Sequence, residues 1–433
     1  MKRYSEYKDS GVKWIGEIPG HWKTIRLRFL GNAQNGISKN GEYFGSGFPF
    51  ITYGDVYNSS TLQNASGLAL SSKEDQNLYS VKKGDIFFTR TSETIDEIGF
   101  SSVCLNTIPN GTFSGFLIRF RPNSNDLGTK YSSYYFRCRI HRNYFAKNMN
   151  IVIRASLGQT LLKNLPVIIP PLPEQEAIVT YLDSKVAKID EYIAIAEKKI
   201  AALEELKQTI IAEAVTRGIH KDVPMKDSGV KWIGEIPGHW DLKRTAMLFS
   251  ENRKKNINYE FDHALKFNYG KLVSKNEIGD VSSLKETYMA YTIINKNDIA
   301  INCLNLNYDF VSQRVAISPQ KGIITSAYLI ITPRQGVEAM YYNYLFKAMD
   351  SKKLFHGMGT GIRLTLSFSE LKKQQIPVPL LSEQQEIVTY IEEKVANINQ
   401  LCQAERSQIE KLKEYKQRLI SDVVTGKVKV TND

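Results

Sequence analysis

The feature that most constrains this fold is that the chain is one sequence written twice. Residues 8–22, KDSGVKWIGEIPGHW, recur unchanged at 226–240, and all four tryptophans (Trp14, Trp22, Trp232, Trp240) lie in the two copies. A second repeat follows each copy. Pro170-Pro171-Leu172-Pro173-Glu174-Gln175 aligns with Pro379-Leu380-Leu381-Ser382-Glu383-Gln384, Ile178-Val179-Thr180-Tyr181 with Ile387-Val388-Thr389-Tyr390, and Val215-Thr216 with Val424-Thr425. The offset is 209 residues along this second stretch and 218 between the two tryptophan motifs. A chain that runs motif, variable domain, long helix, and then the same again must fold as two related halves.

The variable segments are distant relatives of each other. Tyr53-Gly54 sets on Tyr269-Gly270, Gly84-Asp85-Ile86 on Asn297-Asp298-Ile299, and Arg121-Pro122 on Thr332-Pro333. Tyr134 and Phe136 set on Tyr344 and Phe346, and Arg154 on Arg363. The first domain is longer by about nine residues, which belong in loops. Paired readers of different targets would share a frame and differ in loops. Plain duplication with drift is the alternative, but it leaves unexplained why the motifs and helices stayed alike while the domains diverged.

Downstream of each proline-rich entry the apolar residues fall three and four apart. In the first copy they are Ile178, Leu182, Val186, Ile189, Ile193, Ala196, Ile200, Leu203, Ile210 and Ala214. In the second they are Ile387, Ile391, Val395, Ile398, Cys402, Ile409, Leu412, Leu419 and Val423, with Glu405 as a polar break where the first copy has Ala196. That period is a coiled-coil seam, and each helix should run about 40 residues, roughly 60 Å. Pairing the two helices antiparallel hides both stripes, brings the chain back to its own domain and gives the repeat a pseudo-twofold axis. The alternative is that each helix packs on its own domain or on another subunit.

In the variable segments 85–89, 116–120 and 328–332 read as strands, and 131–147 and 338–353 as one helix each; Tyr131, Tyr134, Tyr341 and Tyr344 fall at helical spacing and read as core. The expected class is α+β: two homologous mixed domains joined by two long antiparallel coiled-coil helices. The boundaries expected are 1–165 and 223–375 for the domains, and 166–222 and 376–433 for the helical regions.

Charge matters once it is located. Residues 22–165 hold 17 basic and 9 acidic side chains, and residues 240–375 hold 19 and 12. The segments 174–221 and 383–433 are near neutral, with 7 against 9 and 8 against 9. The overall excess of +12 therefore sits on the two variable domains, and a polyanion touching both is the natural partner. Four scattered cysteines fit a reducing compartment. No apolar core follows the first residues and no apolar run is long enough to span a bilayer. A soluble cytoplasmic protein without a membrane partner is expected.

Catalytic signatures are missing. The stretch Gly31 to Ser38 has P-loop-like glycines but Ile37 where the lysine belongs, and HExxH, CxxC and GxSxG do not occur. The only Pro-Pro, Pro170-Pro171, is followed by Leu172 rather than the aromatic that an adenine amino-methyltransferase loop needs. Gly45-Ser46-Gly47 and Gly357 to Gly361 do not clearly open helices after strands. His21 and His239, beside Trp22 and Trp240, read as packing or hydrogen-bonding residues, not metal ligands. No metal site, catalytic residue or bound cofactor is expected. Base edges are read by Arg, Lys, Asn and Gln, and phosphates by shorter polar groups. The DNA-contact candidates in the first domain are Asn35, Lys39, Asn40, Arg90, Thr91, Ser92, Arg154, Gln159 and Thr160. In the second they are Arg253, Lys254, Lys255, Asn302, Asn305, Asn307, Thr360 and Arg363.

The IPGHW segments (Ile18–Trp22, Ile236–Trp240), the IPPLPEQ and VPLLSEQ helix entries and the doubled order resemble the specificity subunits of Type I restriction–modification enzymes. The resemblance covers nearly the whole chain, and its one departure is Leu380-Leu381 where the first entry has Pro171-Leu172. It implies that each domain is a target-recognition domain reading one half of a bipartite, asymmetric site in double-stranded DNA, while the helices set the unread spacer. It implies two modification subunits that methylate adenine N6 with S-adenosylmethionine, and restriction subunits that translocate and cut DNA with ATP. The chain itself would be non-catalytic, its helices and tryptophan motifs docking the modification subunits. A coiled-coil adaptor whose basic domains bind acidic proteins, and an enzyme with a cryptic site, are the rival readings.

Overall fold

The repeated motif folds identically in its two copies. Tyr7–Asp9 pairs antiparallel with Glu17–Pro19, and Met225–Asp227 with Glu235–Pro237, each hairpin delivering a tryptophan, Trp22 or Trp240, that is fully buried. The structure, a computed structural model, describes residues 2–92, 98–148, 155–275, 281–311, 313–359 and 364–431. It divides into one unit of Met1–Ala196 with Ser407–Asp433 and another of Glu197–Arg406.

In the first unit the central sheet runs Gly31–Asn35, Leu117–Pro122, Ile86–Thr89, Ser101–Cys104, Thr61–Leu62, antiparallel except for the last pair. The second unit keeps the first four places: Phe249–Glu251, Leu329–Pro333, Ile299–Ile301, Val315–Ile317, all antiparallel. A smaller sheet flanks each. Phe44–Ile51 pairs parallel with Thr112–Phe113 in the first, as Ala264–Asn268 does with Gly322–Ile324 in the second. Three strands read from sequence are present, at Ile86–Thr89, Leu117–Pro122 and Leu329–Pro333.

The alignment of Gly84-Asp85 with Asn297-Asp298 has a physical basis. Gly84 and Asn297 both take positive φ (87° and 71°), a conformation open to glycine and tolerated by asparagine. The buried aspartates that follow accept backbone N–H bonds from Lys82 (2.7 Å) and Asn295 (2.9 Å). Tyr53-Gly54 and Tyr269-Gly270 do not correspond: the first opens the helix Tyr53–Asn58, the second is the turn between Ala264–Asn268 and Lys271–Ser274. The glycines of the P-loop-like stretch are explained by packing, since a Cβ on Gly31 or Gly36 would collide with the carbonyl of Arg121 or Ser114.

The single helix expected over 131–147 is two, Thr129–Arg137 and Ile140–Asn148. Cys138 is extended between them, and no glycine or proline marks the break. Arg137 is pinned there by donating to the carbonyls of Val56 (2.8 Å), Tyr57 (2.5 Å), Ser59 (3.3 Å) and Ser101 (3.0 Å). The His141 ring lies 3.0 Å from the Tyr135 carbonyl, a group a continuous helix would bond itself. The second domain's helix is unbroken, Ala339–Ser351, with the Glu338 carboxylate accepting from Met340 N–H at 3.2 Å.

The long helices are Leu172–Arg217 and Leu381–Val424, 46 and 44 residues, or about 69 and 66 Å, longer than the period alone indicated. The boundary between units falls inside both, so each unit owns the start of one helix and the end of the other. The expectation that each helix returns the chain to its own domain is thereby corrected: the first ends in the second unit, where Ala214 and Val215 join the core around Tyr341, and the second ends in the first. Within the second unit Lys199 meets Glu405 at 2.5 Å and Lys207 meets Asn399 at 3.3 Å. One number rises as the other falls, so the pairing is antiparallel. Within the first unit Lys416 meets Asp190 at 2.6 Å. Glu405, the polar break in the seam, is answered by Lys199 across it.

Candidate nucleic-acid interface

Strand register brings the candidate contacts to one end of each central sheet. In the first domain Asn35 stands opposite Ile118, Thr89 opposite Leu117, and Ser101 opposite Phe88. That end therefore gathers Asn35, Arg90 and Thr91. Thr91 and Ser92 form a short ribbon with Ala155–Ser156, which leads through Gly158 into the helix Gln159–Lys163. Gln159 Nε2 donates to Asn35 Oδ1 at 3.1 Å, joining two candidates 124 residues apart. Arg90 Nη1 donates to the Gly115 carbonyl at 3.3 Å, and Leu157 N–H to the Arg90 carbonyl at 2.7 Å, so this corner is built rather than loose. Thr160 is exposed and lines a groove of about 840 Å³ with Arg26, Tyr144, Asn148 and Asn164.

Lys39 and Asn40 follow Ile37, whose carbonyl accepts from Gly115 N–H at 2.7 Å. Lys39 is ion-paired with Asp75 at 3.2 Å and sits 4.7 Å above the Tyr43 ring, whose hydroxyl also donates to Asp75. Burial and that carboxylate push the Tyr43 hydroxyl up to about 12. Lys39 is already engaged. Arg154, Thr360 and Arg363 lie outside the described residues.

In the second domain Glu251 stands opposite Ile331 and Ile301 opposite Leu329, which puts Arg253 and Asn302 at the corresponding end. Arg253 is exposed and paired with Glu251 at 2.8 Å. Lys254 and Lys255 follow, exposed, and Lys255 bridges the backbone to Thr292. The segment 302–309 is wound round a buried guanidinium. Arg314, fully shielded, donates to the carbonyls of Asn302 (3.1 Å), Leu304 (2.7 Å), Asn305 (3.4 Å) and Asp309 (2.7 Å). Asn302 spends its side-chain oxygen on Leu304 N–H, Asn305 is exposed at φ 53°, and the Asn307 side-chain oxygen points inside.

Sequence reasoning passed over the apolar part of this surface. Phe116 is 61% exposed beside Arg90, and Tyr308, Phe310 and Val311 are exposed on the Arg314 loop. In sequence such residues look like core. Lys347 stands out for its burial rather than for a place on that surface. It is largely buried on the helix Ala339–Ser351, and burial with the neighbouring Lys271 pulls its amine down to about 8.

The two identical motifs act through a carboxylate at the entry of the following helix. Trp22 Nε1 donates to Glu174 (3.1 Å) and Tyr4 OH to the same oxygen (2.8 Å), with His21 against the other. Trp240 Nε1 and the His239 ring hold Glu383 at 2.9 Å each. The end of the other long helix closes over each tryptophan. Gly426 and Gly218, both at φ 75°, have Trp22 and Trp240 within about one van der Waals contact of where a Cβ would sit. Both histidines thus serve in hydrogen bonds. Burial pushes the Cys104 and Cys303 thiols up to about 11 and 12, away from nucleophilic reactivity. Among the described residues no group of three His, Cys, Asp or Glu is placed to hold a metal ion, and no helix is long and apolar enough to cross a membrane.

Comparison with known proteins agrees with this doubled plan. The chain is 24% identical over 440 residues to the putative type I restriction enzyme MjaX specificity subunit of Methanocaldococcus jannaschii, covering 98% of each chain. It is 26% identical over 237 residues to the StySPI specificity subunit of Salmonella potsdam, covering 53% of this chain and 47% of that one. Its fold is that of the HsdS subunit from Thermoanaerobacter tengcongensis, at 14% identity and a TM-score of 0.53 over 95% and 98% of the two chains. A chain from a study of assembly and conformational transition in the type I R-M system superposes at 0.67, also at 14% identity, over 95% and 99%. Residues 19–205 and 225–411 each match the Type I restriction modification DNA specificity domain, so the chain belongs to that family, a family of DNA recognition, with one copy in each half.

Proposed function

We infer that this chain is the subunit that chooses the DNA sequence for a Type I restriction–modification enzyme, each domain reading one half of a bipartite target. The observation that carries this is the equivalence of the two sheet ends: on two basic domains of one frame, register puts amide and guanidinium side chains at the same place. The loops around them differ, so the two halves would read different bases. The long helices, each running from one unit into the other, set the unread spacer. The modification subunits, expected as two, dock on the helices, where Tyr192, Ile195 and Tyr415 in the first unit and Leu206 and Leu401 in the second are exposed. Those subunits supply S-adenosylmethionine and methylate adenine N6, and restriction subunits supply the ATP-driven translocation and cutting. This chain contributes recognition and no catalytic group.

Methylome sequencing of a host with and without the gene tests this. The expected result is one split motif that gains modified adenine, with binding to it falling steeply as salt rises, because phosphate contacts release counterions. No such motif, or binding indifferent to salt, would return the adaptor reading.

A further inference from the structure

The loop 304–311 of the second domain wraps a buried charge, Arg314, and leaves four of its apolar side chains exposed, with only Leu306 turned into the core. Arg314 occupies the interior, bonded to three loop carbonyls and to that of Asn302 just before the loop, and its backbone N–H donates to the Asp350 carboxylate at 2.8 Å. The loop's only carboxylate, Asp309, is held 3.6 Å from that same guanidinium. Outward stand Leu304 (38% exposed), Tyr308 (79%), Phe310 (54%) and Val311 (91%). Phe310 is braced by the His356 ring, stacked at 4.7 Å, and Val311 N–H is tied to the Asp309 side chain at 3.1 Å. Exposed apolar groups on a loop of this order cost solubility and are held for contact.

The loop leaves the strand Ile299–Ile301 at the sheet end that carries Arg253, Lys254 and Lys255. An apolar tip at the same sheet end as three exposed cations suits one surface well: the floor of a DNA major groove. There the phosphates lie at the edges and the thymine C5-methyl is the one apolar mark on a base pair. We propose that Tyr308 and Val311 are specificity-determining residues that read thymine methyl groups in the half-site of the second domain. The buried Arg314 makes the loop rigid before DNA arrives, so little ordering cost opposes the contact. This rests on the DNA-recognition reading above.

The test uses the full-length chain and the duplex identified by methylome sequencing, with deoxyuridine replacing each thymine in turn. A shuffled duplex bound as well as this one would mean the recognition reading had failed, independently of the loop. Given selective binding, one or two positions should lose about fourfold in affinity when the methyl is deleted, the worth of one buried carbon. In Val311→Ala, Val311→Thr or Tyr308→Ser that penalty should disappear at a specific position while the salt dependence stays unchanged. Both residues are on the surface, and unchanged thermal melting would confirm that the variants fold. The proposal is overturned if no deoxyuridine position matters, if the variants lose affinity equally on both duplexes, or if they bind DNA normally but no longer co-purify with modification subunits. The last result would assign the loop to a protein.

Discussion

A lysine amine that is largely buried and pulled down to about 8, from an ordinary 10.5, is a local cost to the second domain. The site favours the neutral amine, so at neutral pH folding must carry a proton into an unfavourable place. Lys347→Met should therefore raise stability at pH 7 by roughly 1–2 kcal/mol, discounted for partial solvent access. The sign is fixed by the depressed value: wild type gains on the variant as pH rises through 8 and has recovered fully above 10.5. Denaturant melts at several pH values would show the gap closing. The carboxylate of Glu174 gives the opposite case. It accepts from an indole, a phenol and an imidazole at once, and Glu174→Gln should cost about 1–3 kcal/mol. Glu383→Gln should lose about as much in the second unit, read by the same melts. At this scale the sequence was legible only in part. His21 reads in sequence as a packing or hydrogen-bonding residue, and residue type marks Asn35 and Gln159, which do meet. Nothing local could show that Lys39 is spent on Asp75, 36 positions away, or that Arg314 lies inside a loop.

Helices were the most readable elements, because a 3.5-residue period sustained over forty positions fits neither a strand nor a loop. The seam positions are buried or half-buried from Ile178 to Val423. Glu405 is the informative exception. Its partner Lys199 is mostly exposed, so their ion pair adds little, and Glu405→Leu should stabilise the chain by about 1 kcal/mol. The register would then have lost a polar marker, and thermal melting alongside crosslinking between Lys207 and position 399 would report both effects. Removing four residues from one long helix shortens it by about 6 Å, near two base-pair rises. The spacer in the methylated motif should change; an unchanged spacer would count against the helices as a ruler. The broken helix at Cys138 was not readable. It results from carbonyls on other elements capturing Arg137, and a periodicity contains no record of that.

On the scale of the molecule, duplication was legible but its exchange of parts was not. Repeats gave two halves in order along the chain, whereas the folded units trade helix ends: Tyr131 OH donates to the Val424 carbonyl in one and Tyr341 OH to the Val215 carbonyl in the other. The first unit also carries a backbone bond from Lys429 N–H to the Lys2 carbonyl at 2.9 Å. Its pieces are thus drawn from both extremes of the described chain, while Glu197–Arg406 is one uninterrupted stretch. Emergence from the ribosome is vectorial, so the later-made unit can finish folding while the earlier one waits with Trp22 and Tyr131 uncovered. The half synthesised first is the half completed last, and it offers a hydrophobic face to chaperones for longer than its sibling does.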